Sequence, residues 1–269
     1  MRKRVTKRTP PKTQARRTRR TRSELSSAYL DVTHRPLQCL VFLLPLVIAY
    51  EVGMALFYAD RPVNMRPSLA AEELILWFFS LFGGTGAYLP GAVLVVVLLA
   101  WHVATRNPWK VTLQPLAGMA GESVLLAMPL LLFNNQLTGG LQAVAHTVPP
   151  DAVGEPPRAV IELLLSVGAG IYEELVFRLI IIGLLNLLLI DICGMKKVAG
   201  VAVAIIVSSL LFALHHYPPI GSDLTYTAGE FAFRTLAGAY LAAIFAFRGF
   251  GLAVGCHTMY DVFAFLASG

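Results

Sequence analysis

Three short groups of ionisable residues lie inside apolar stretches in the second half of the chain. In chain order they are Glu173-Glu174-x-x-x-Arg178, His215-His216 and His257-x-x-x-Asp261. An ionisable side chain within a membrane span costs about 2.5–3.5 kcal/mol on insertion scales. Carboxylates and imidazoles are also the groups that transfer protons in general acid–base catalysis. Such residues in apolar surroundings therefore indicate a functional site.

The acidic pair lies in the middle of the longest apolar run. Glu174 and Arg178 are four residues apart, so a helix places them on one face, where they can neutralise each other. Glu173 points about 100° away from Glu174, which leaves a carboxylate suited to a general base. The same spacing also allows a purely structural interpretation, with a buried ion pair and one acid lining a polar groove.

The histidines belong to two different apolar runs. His216 follows Phe212 by four residues and shares its helix face, whereas His215 is typical of a hydrogen-bonded packing residue. Two prolines directly downstream end that helix. His257 and Asp261 lie one turn apart, and an aspartate beside an imidazole fixes its tautomer or stabilises the imidazolium. That pair could instead share a metal or hold helices together.

The elements that must position these groups are membrane helices. The 269 residues are 56% hydrophobic and 14% charged, whereas soluble domains carry about 25% charged residues. The predicted fold is an all-α, polytopic bundle of about seven or eight transmembrane helices. A span needs about 20 mostly apolar residues. Runs close to that length occupy residues 37–58, 88–104, 116–133, 159–190, 198–214, 228–247 and 250–267. An eighth span follows only if the short run 74–82 crosses.

The run at 159–190 is longer than a membrane requires. Its 32 residues would form a helix of about 48 Å, and the hydrocarbon core is about 30 Å thick. This segment must therefore tilt, break or emerge. Gly168, Gly170 and Gly183 are the natural places for a break.

The charge divides the chain into two parts. The net charge is +6, but residues 2–22 hold eleven of the 22 Lys and Arg and no acid. Residues 1–30 are predicted to be a disordered, basic, cytoplasmic tail. Such a tail attracts anionic lipid headgroups by about 1 kcal/mol per Lys or Arg, or acts as a topology determinant with no partner. Nucleic acid is not expected as a partner. The three cysteines have no paired spacing and predict neither a disulfide framework nor a thiolate metal site.

The positive charges also predict an orientation, because cytoplasmic loops carry an excess of Lys and Arg. With the amino terminus inside, seven crossings place Arg106, Lys110, Lys196, Lys197 and Arg248 inside, while Arg61 and Arg66 fall outside. This topology puts His216 at the outer end of its span and His257 nearer the inner side. Bringing them together requires tilted helices, a re-entrant segment over residues 222–229 or a shifted span boundary.

In combination, the three groups resemble the CPBP intramembrane proteases. That family includes the CAAX prenyl endopeptidases, or type II CAAX proteases, and the bacterial Abi proteins linked to bacteriocin self-immunity. The matching motifs are Glu-Glu-x-x-x-Arg at 173–178, Ser-Ser-Leu-Leu-Phe-x-x-x-His at 208–216 and His-x-x-x-Asp at 257–261. The resemblance covers residues 159–269 as a protease core, and residues 31–158 are predicted to form the amino-terminal transmembrane helices.

The resemblance implies an endopeptidase that hydrolyses a peptide bond in or beside the bilayer. It makes Glu173 the base that activates water and His216 the residue that orients this water. His257 and Asp261 would face the scissile carbonyl and stabilise the oxyanion. Many members have Asn at the last position, and an ionised carboxylate cannot donate a hydrogen bond. Asp261 is therefore either protonated or serves His257.

The resemblance further implies that Glu174 and Arg178 form a structural ion pair at the site. No cofactor is required, although Glu173, His216 and His257 could hold a divalent metal such as zinc. The substrate would be a peptide or a lipidated protein, and the location a plasma (inner) membrane if the source is bacterial. The alternative is a non-catalytic scaffold, a bacteriocin-immunity protein or a transporter that retains the fold. For a transporter, the first half offers few intramembrane acids.

Overall fold

The computed structural model describes residues 29–58, 66–67, 69–84, 86–140, 157–217 and 227–268. All regular structure within these ranges is helical. The helices are α1 Pro36–Tyr58, α2 Ala70–Ser80, α3 Leu89–Ala104, α4 Gln114–Thr138, α5 Arg158–Ile192, α6 Lys197–His215, α7 Ala228–Arg248 and α8 Phe250–Ser268. The predicted basic tail, apart from its last two residues, lies outside the described residues.

The helix lengths confirm the predicted multi-pass membrane bundle. Among the described residues, six helices can cross a membrane by length and composition: α1, α4, α5, α6, α7 and α8. The seventh predicted span corresponds to α3, a shorter apolar helix of 16 residues. Helix α2 has only 11 residues, or about 16 Å, and is too short to cross. The chain is therefore an integral, multi-pass membrane protein.

Helix ends gather at two opposite ends of the bundle. At one end, Gln38 near the start of α1 exchanges two hydrogen bonds with the backbone of Thr112, just before α4. Gly249, between α7 and α8, packs at the same end against the backbone of Thr33. Helices α6 and α7 run antiparallel, because Tyr217 after α6 contacts Phe231 near the start of α7 and Ser209 contacts Gly238 further along. The turn between α5 and α6 therefore also lies at this end. We call this end the amino-terminal face and the opposite end the distal face.

Helix α8 is the centre of the bundle. It packs against α1, α4, α5 and α7, and 67% of its candidate span is buried, compared with at most 33% in any other span. Small residues permit this central position. Gly251 contacts Met119, and Gly255 contacts Ser123 of α4, so a larger side chain at either position would collide with α4. The motif residues His257 and Asp261 therefore lie deep in the protein.

Helix α5 is continuous over 35 residues, so of the three alternatives for this long run, a break at a glycine does not occur. Gly168 and Gly170 instead allow close packing: Gly168 faces the ring of Tyr50, and Gly170 faces Thr258. Such small residues let helix backbones approach in membranes. The backbone changes to a π-helix at Leu175–Ile182, directly after the acidic pair, and π-bulges occur frequently at functional sites.

Polar side chains tie the first half of the chain to the second. Tyr172 Oη donates to Glu51 Oε1 over 2.6 Å, Arg248 forms a bidentate pair with Glu122 at 2.6 Å, and Asn134 donates to Tyr260 Oη over 2.9 Å. Glu51 and Glu122, the two acids within the first-half spans, are therefore each engaged in a specific contact. The two halves pack as one bundle, and Glu51 anchors α5 one residue before Glu173.

The stability of the protein should depend on pH through Glu72 of the short helix α2, which accepts a hydrogen bond from Tyr50 over 2.6 Å. Burial raises the pKa of Glu72 from about 4.5 to about 7, against the opposing effect of that hydrogen bond. The pKa of Glu72 is higher in the folded than in the unfolded protein. Glu72 therefore adds to the free energy of unfolding below about pH 4.5, and this contribution is lost as the pH rises through 7. We expect the apparent unfolding temperature in detergent to fall between pH 5 and 8.

Glu72→Gln should weaken this pH dependence, since an amide can still accept from Tyr50 and does not ionise. Glu73→Gln, at the exposed neighbouring position, is the matched control and should keep it. A Glu72→Gln protein with an unchanged pH profile would contradict the assignment.

Candidate active site

Glu174 lies at the centre of the site, in contact with both Arg178 and His257, and is fully buried. Its Oε2 lies 3.1 Å from Nε of Arg178, one turn further along α5. Its Oε1 accepts a hydrogen bond of 2.9 Å from Nδ1 of His257 on α8. The first contact is the one that the four-residue spacing predicts. The second joins residues 83 positions apart and has no signal in local sequence.

Arg178 joins three helices at full burial. Besides Glu174, its Nη2 donates to the carbonyl oxygen of Gly238 on α7 over 3.3 Å. Its guanidinium carbon lies 4.4 Å from the ring centroid of Phe212 on α6, in the range of a cation–π contact. Gly238 can come this close because it packs directly against Ser209, where a Cβ would approach the Ser209 Cα to 3.1 Å.

Glu173 faces away from this ion pair and toward two histidines. Its Oε2 lies 3.6 Å from Nε2 of His216 and 3.8 Å from Nε2 of His257. Glu173 is only 6% exposed. His216 directly follows α6 and His257 belongs to α8. One carboxylate oxygen on α5 therefore lies close to side chains from both of these helices.

Hydrogen bonds at Nδ1 orient both imidazoles. His216 directly follows α6, and its Nδ1 lies 2.8 Å from the carbonyl oxygen of Phe212. A carbonyl can only accept, so Nδ1 carries the proton in the neutral ring and Nε2 becomes the acceptor. The Nδ1 of His257 likewise donates, to Glu174. Both rings therefore present Nε2 to Glu173.

Asp261 lies on the Nε2 side of His257, with Oδ2 3.5 Å from that nitrogen and 3% of its surface exposed. The sequence left two roles open for Asp261, fixing the tautomer of His257 or stabilising its imidazolium. In the structure Glu174 fixes the tautomer through Nδ1, and Asp261 instead flanks the nitrogen that faces Glu173. His215 stands outside the cluster and packs against the ring of Phe177 at 5.2 Å, as expected for a packing residue.

The sequence predicts different depths in the membrane for His216 and His257, but the structure brings both to the same level. From the amino-terminal face, α6 runs 19 residues before His216, whereas His257 is the eighth residue of α8. The two helices therefore begin at different depths and reach the same level at the site. Gly170 against Thr258 fixes this level, because α5 and α8 touch there. Most of the suggested re-entrant segment, residues 222–226, lies outside the described residues.

A metal site at this cluster is an optional expectation from the sequence. Across the described ranges, no group of three His, Cys, Asp or Glu side chains has an arrangement that could hold a metal ion. This includes Glu173, His216 and His257, the predicted optional ligands.

Comparison with protein families gives a match within the second half of the chain. The family model described as type II CAAX prenyl endopeptidase, Rce1-like, matches residues 156–263. No curated protein and no solved structure matches the chain. The matched segment is less than half of the chain, contains every candidate site residue, and confirms the predicted family resemblance.

Removing Arg178 should destabilise the protein strongly. Arg178→Ala would leave Glu174 buried beside His257 without its cation, and breaking a buried pair costs about 3–5 kcal/mol. Arg158→Ala is the matched control, because Arg158 pairs with Glu162 at the same spacing in the same helix but is 69% exposed. Exposed pairs contribute about 0–1 kcal/mol.

The chain offers its own probe for this measurement. Cys39 and Cys256 are buried and Cys193 is exposed, so a Cys193→Ser background reacts with a thiol-specific dye only as the bundle opens. Arg178→Ala should react at a clearly lower temperature than Arg158→Ala. Equal unfolding temperatures for the two variants would show that the buried pair does not hold the helices together.

Proposed function

We propose that this chain, whose residues 156–263 match the type II CAAX prenyl endopeptidase family model, is an intramembrane endopeptidase that hydrolyses a peptide bond in or beside the bilayer. The observation that carries the proposal is the approach of two imidazole Nε2 atoms, from α6 and α8, to one oxygen of Glu173. The family supports protease chemistry in general. The assignment of roles to individual residues rests on this geometry.

Glu173 is the proposed general base. Its distances of 3.6 and 3.8 Å to the two histidines are too long for direct hydrogen bonds, and a bridging water commonly joins polar groups across such a gap. In the proposed step, Glu173 takes a proton from this water while His216 Nε2 orients it. The oxygen attacks the scissile carbonyl carbon, and the proton passes to the leaving amine as the C–N bond breaks.

The two adjacent glutamates have different proposed tasks because their partners differ. Glu174 is committed to Arg178 and to His257 Nδ1. Glu173 lies about 100° around the helix, facing the Nε2 atoms of both histidines. A general base must lie within reach of its proton donor, and of the two acids Glu173 is the one that faces the proposed water.

His257 is the proposed oxyanion donor. Glu174 lies 2.9 Å from its Nδ1 and Asp261 lies 3.5 Å from its Nε2, and carboxylates on both sides stabilise an imidazolium. The imidazolium can donate Nε2–H to the oxyanion, which ionised Asp261 cannot do. Asp261 is therefore proposed to act through His257 as a positioning residue. The substrate is proposed to be a peptide or lipidated protein, with the basic tail held at anionic headgroups on the cytoplasmic side.

Glu173→Gln should abolish proteolysis while the fold persists, because the amide cannot accept the proton from water. Loss of a general base typically lowers the rate by about 10²- to 10⁴-fold. The measurement is cleavage of membrane-anchored reporter peptides in liposomes, with products identified by mass spectrometry. The same variant is suited to trapping the natural substrate.

Glu162→Gln is the matched control, since it makes the same change in the same helix at a residue that is also buried. It should cleave at the wild-type rate. A scaffold that retains the fold only for packing would show no difference between the two variants, and Glu173-independent cleavage would overturn the proposed base.

Substitution of Asp261 should separate its two possible roles. Asp261→Asn supplies an amide that can donate to the oxyanion, so we expect substantial cleavage with a changed pH–rate profile, because the charge beside His257 is gone. Asp261→Leu keeps the size of the side chain but can neither donate to the oxyanion nor supply a charge beside His257, so its cleavage should be much slower. If the asparagine and leucine variants are equally inactive with unchanged folding, a carboxylate is required and Asp261 takes part more directly.

A further inference from the structure

A large cavity lies toward the distal end of α1, apart from the candidate active site. Its volume is about 840 Å³, within the range of about 300–1,000 Å³ that is usual for small-molecule sites. The walls are the last turns of α1, helix α2 and the segment just before α3. Among the described residues that line it, none belongs to the candidate active site. The cavity is therefore a second feature that the proposed proteolysis does not use.

The lining of the cavity combines aromatic rings with carboxylates. Three aromatic and three acidic residues contribute to it: Tyr50, Trp77, Tyr88, Glu51, Glu72 and Glu73. Among the described lining residues, Arg66 is the single base. The faces of aromatic rings attract cations, and quaternary ammonium ligands are typically bound in this way. The rings and the carboxylates therefore favour the same kind of ligand, one with a positive charge.

Glu72 is the lining residue whose surroundings call most strongly for a cation. Burial and the nearby charges of Glu51 and Glu73 raise the pKa of Glu72 to about 7. The contributions that lower this pKa are hydrogen bonds with Tyr50 and with the backbone of Leu69, and no positive charge of a described residue is among them. A cation in the cavity would therefore stabilise the ionised carboxylate of Glu72.

The outer surface of α2 shows that the cavity lies beside the lipid chains. Four large apolar residues on or directly after this helix are 42–77% exposed: Leu74, Phe78, Leu81 and Phe82. A short helix with acids on one side and such a surface on the other is typical of a helix that lies in the membrane interface. Trp77 and Tyr88 are 62% and 56% exposed, and such aromatic residues gather at the same level of the membrane. A ligand that enters past these rings comes from the bilayer surface.

We propose that this cavity binds an ammonium group carried on an apolar chain, as in an amine-bearing phospholipid or a free alkylamine. The ammonium group lies between the carboxylate of Glu72 and the aromatic rings, and the chain lies along the exposed apolar surface of α2. An anionic lipid headgroup without an amine is disfavoured, because the carboxylates of Glu51, Glu72 and Glu73 repel it. This binding site does not depend on the proposed endopeptidase activity.

The fluorescence of Trp77 tests the proposal in the purified full chain. The chain has three tryptophans, so Trp101→Phe together with Trp109→Phe leaves Trp77 as the single indole. The probe is decyltrimethylammonium chloride, which carries a permanent positive charge, and decanol is the neutral probe of the same chain length. We expect a saturable change in the fluorescence of Trp77 with the cation and none with decanol. Equal responses to the two probes overturn the proposal.

Glu72→Gln should weaken the binding of decyltrimethylammonium by about tenfold or more, because it removes one charge from a partly buried site. Glu230→Gln is the matched control. Glu230 is an exposed acid of α7 outside the described lining, and glutamine can keep its capping role. This control should bind the probe as the unsubstituted protein does. Equal affinities of Glu72→Gln and Glu230→Gln contradict the assignment, whereas the comparison of the two probes requires no substitution in the cavity.

The affinity for the probe should also rise several-fold between pH 6 and 8, because Glu72 ionises over this range. Tyr50, Glu51, Glu73 and Arg66 face the same cavity, and the pH profile of Glu72→Gln gives their contribution. That profile should be nearly flat. A profile as steep as that of the unsubstituted protein contradicts a role for Glu72.

Native mass spectrometry distinguishes the two sources of the ammonium group. The protein is exposed to equal amounts of phosphatidylethanolamine and phosphatidylglycerol in detergent. Preferential retention of phosphatidylethanolamine, lost in Glu72→Gln, supports a lipid headgroup as the occupant. Selective binding of decyltrimethylammonium without that lipid preference supports a free alkylamine. Preferential retention of phosphatidylglycerol that persists in Glu72→Gln, without selective binding of the cationic probe, overturns the ammonium site.

Discussion

The buried ion pair between Glu174 and Arg178 is the contact on which the site depends. Both side chains are 0% exposed, and a charge at this depth is costly unless it is paired and hydrogen-bonded. Satisfying Arg178 requires Glu174, the Gly238 carbonyl and the Phe212 ring, which belong to three helices. Satisfying Glu174 brings in His257 on a fourth. The electrostatic requirement of one residue pair thus fixes the relative positions of the helices that carry the proposed catalytic groups.

This arrangement explains why two consecutive acids are useful. A single carboxylate could not both neutralise a buried arginine and accept a proton from water, because the ion pair would hold it in the charged, fully occupied state. One helical step separates the two tasks. Glu174 holds Arg178 and the Nδ1 of His257, and Glu173 faces the Nε2 atoms of His216 and His257. The buried Glu174–Arg178 pair therefore positions the adjacent Glu173.

Features that depend on local spacing were predictable from the sequence, and features that depend on long-range packing were not. The spans, the pairing of Glu174 with Arg178 and the shared face of Phe212 and His216 follow from helix geometry. The Glu174–His257 bond joins residues 83 apart, and the Tyr172–Glu51 bond joins residues 121 apart. No local pattern encodes such pairs. Helix α5 does not break at Gly168 or Gly170, because these glycines serve helix contact, where small size matters more than weak helix propensity.

A hydrolase within a membrane must admit water to a carboxylate without opening a path through the bilayer. On the distal side of the site, α6 ends where Glu173 meets His216, whereas α5 and α8 continue past this level. On the other side, Arg178, Phe212 and the apolar cluster beneath them seal the bundle. The buried ion pair therefore has a second consequence: the contacts that position the proposed catalytic groups also form the floor of the site.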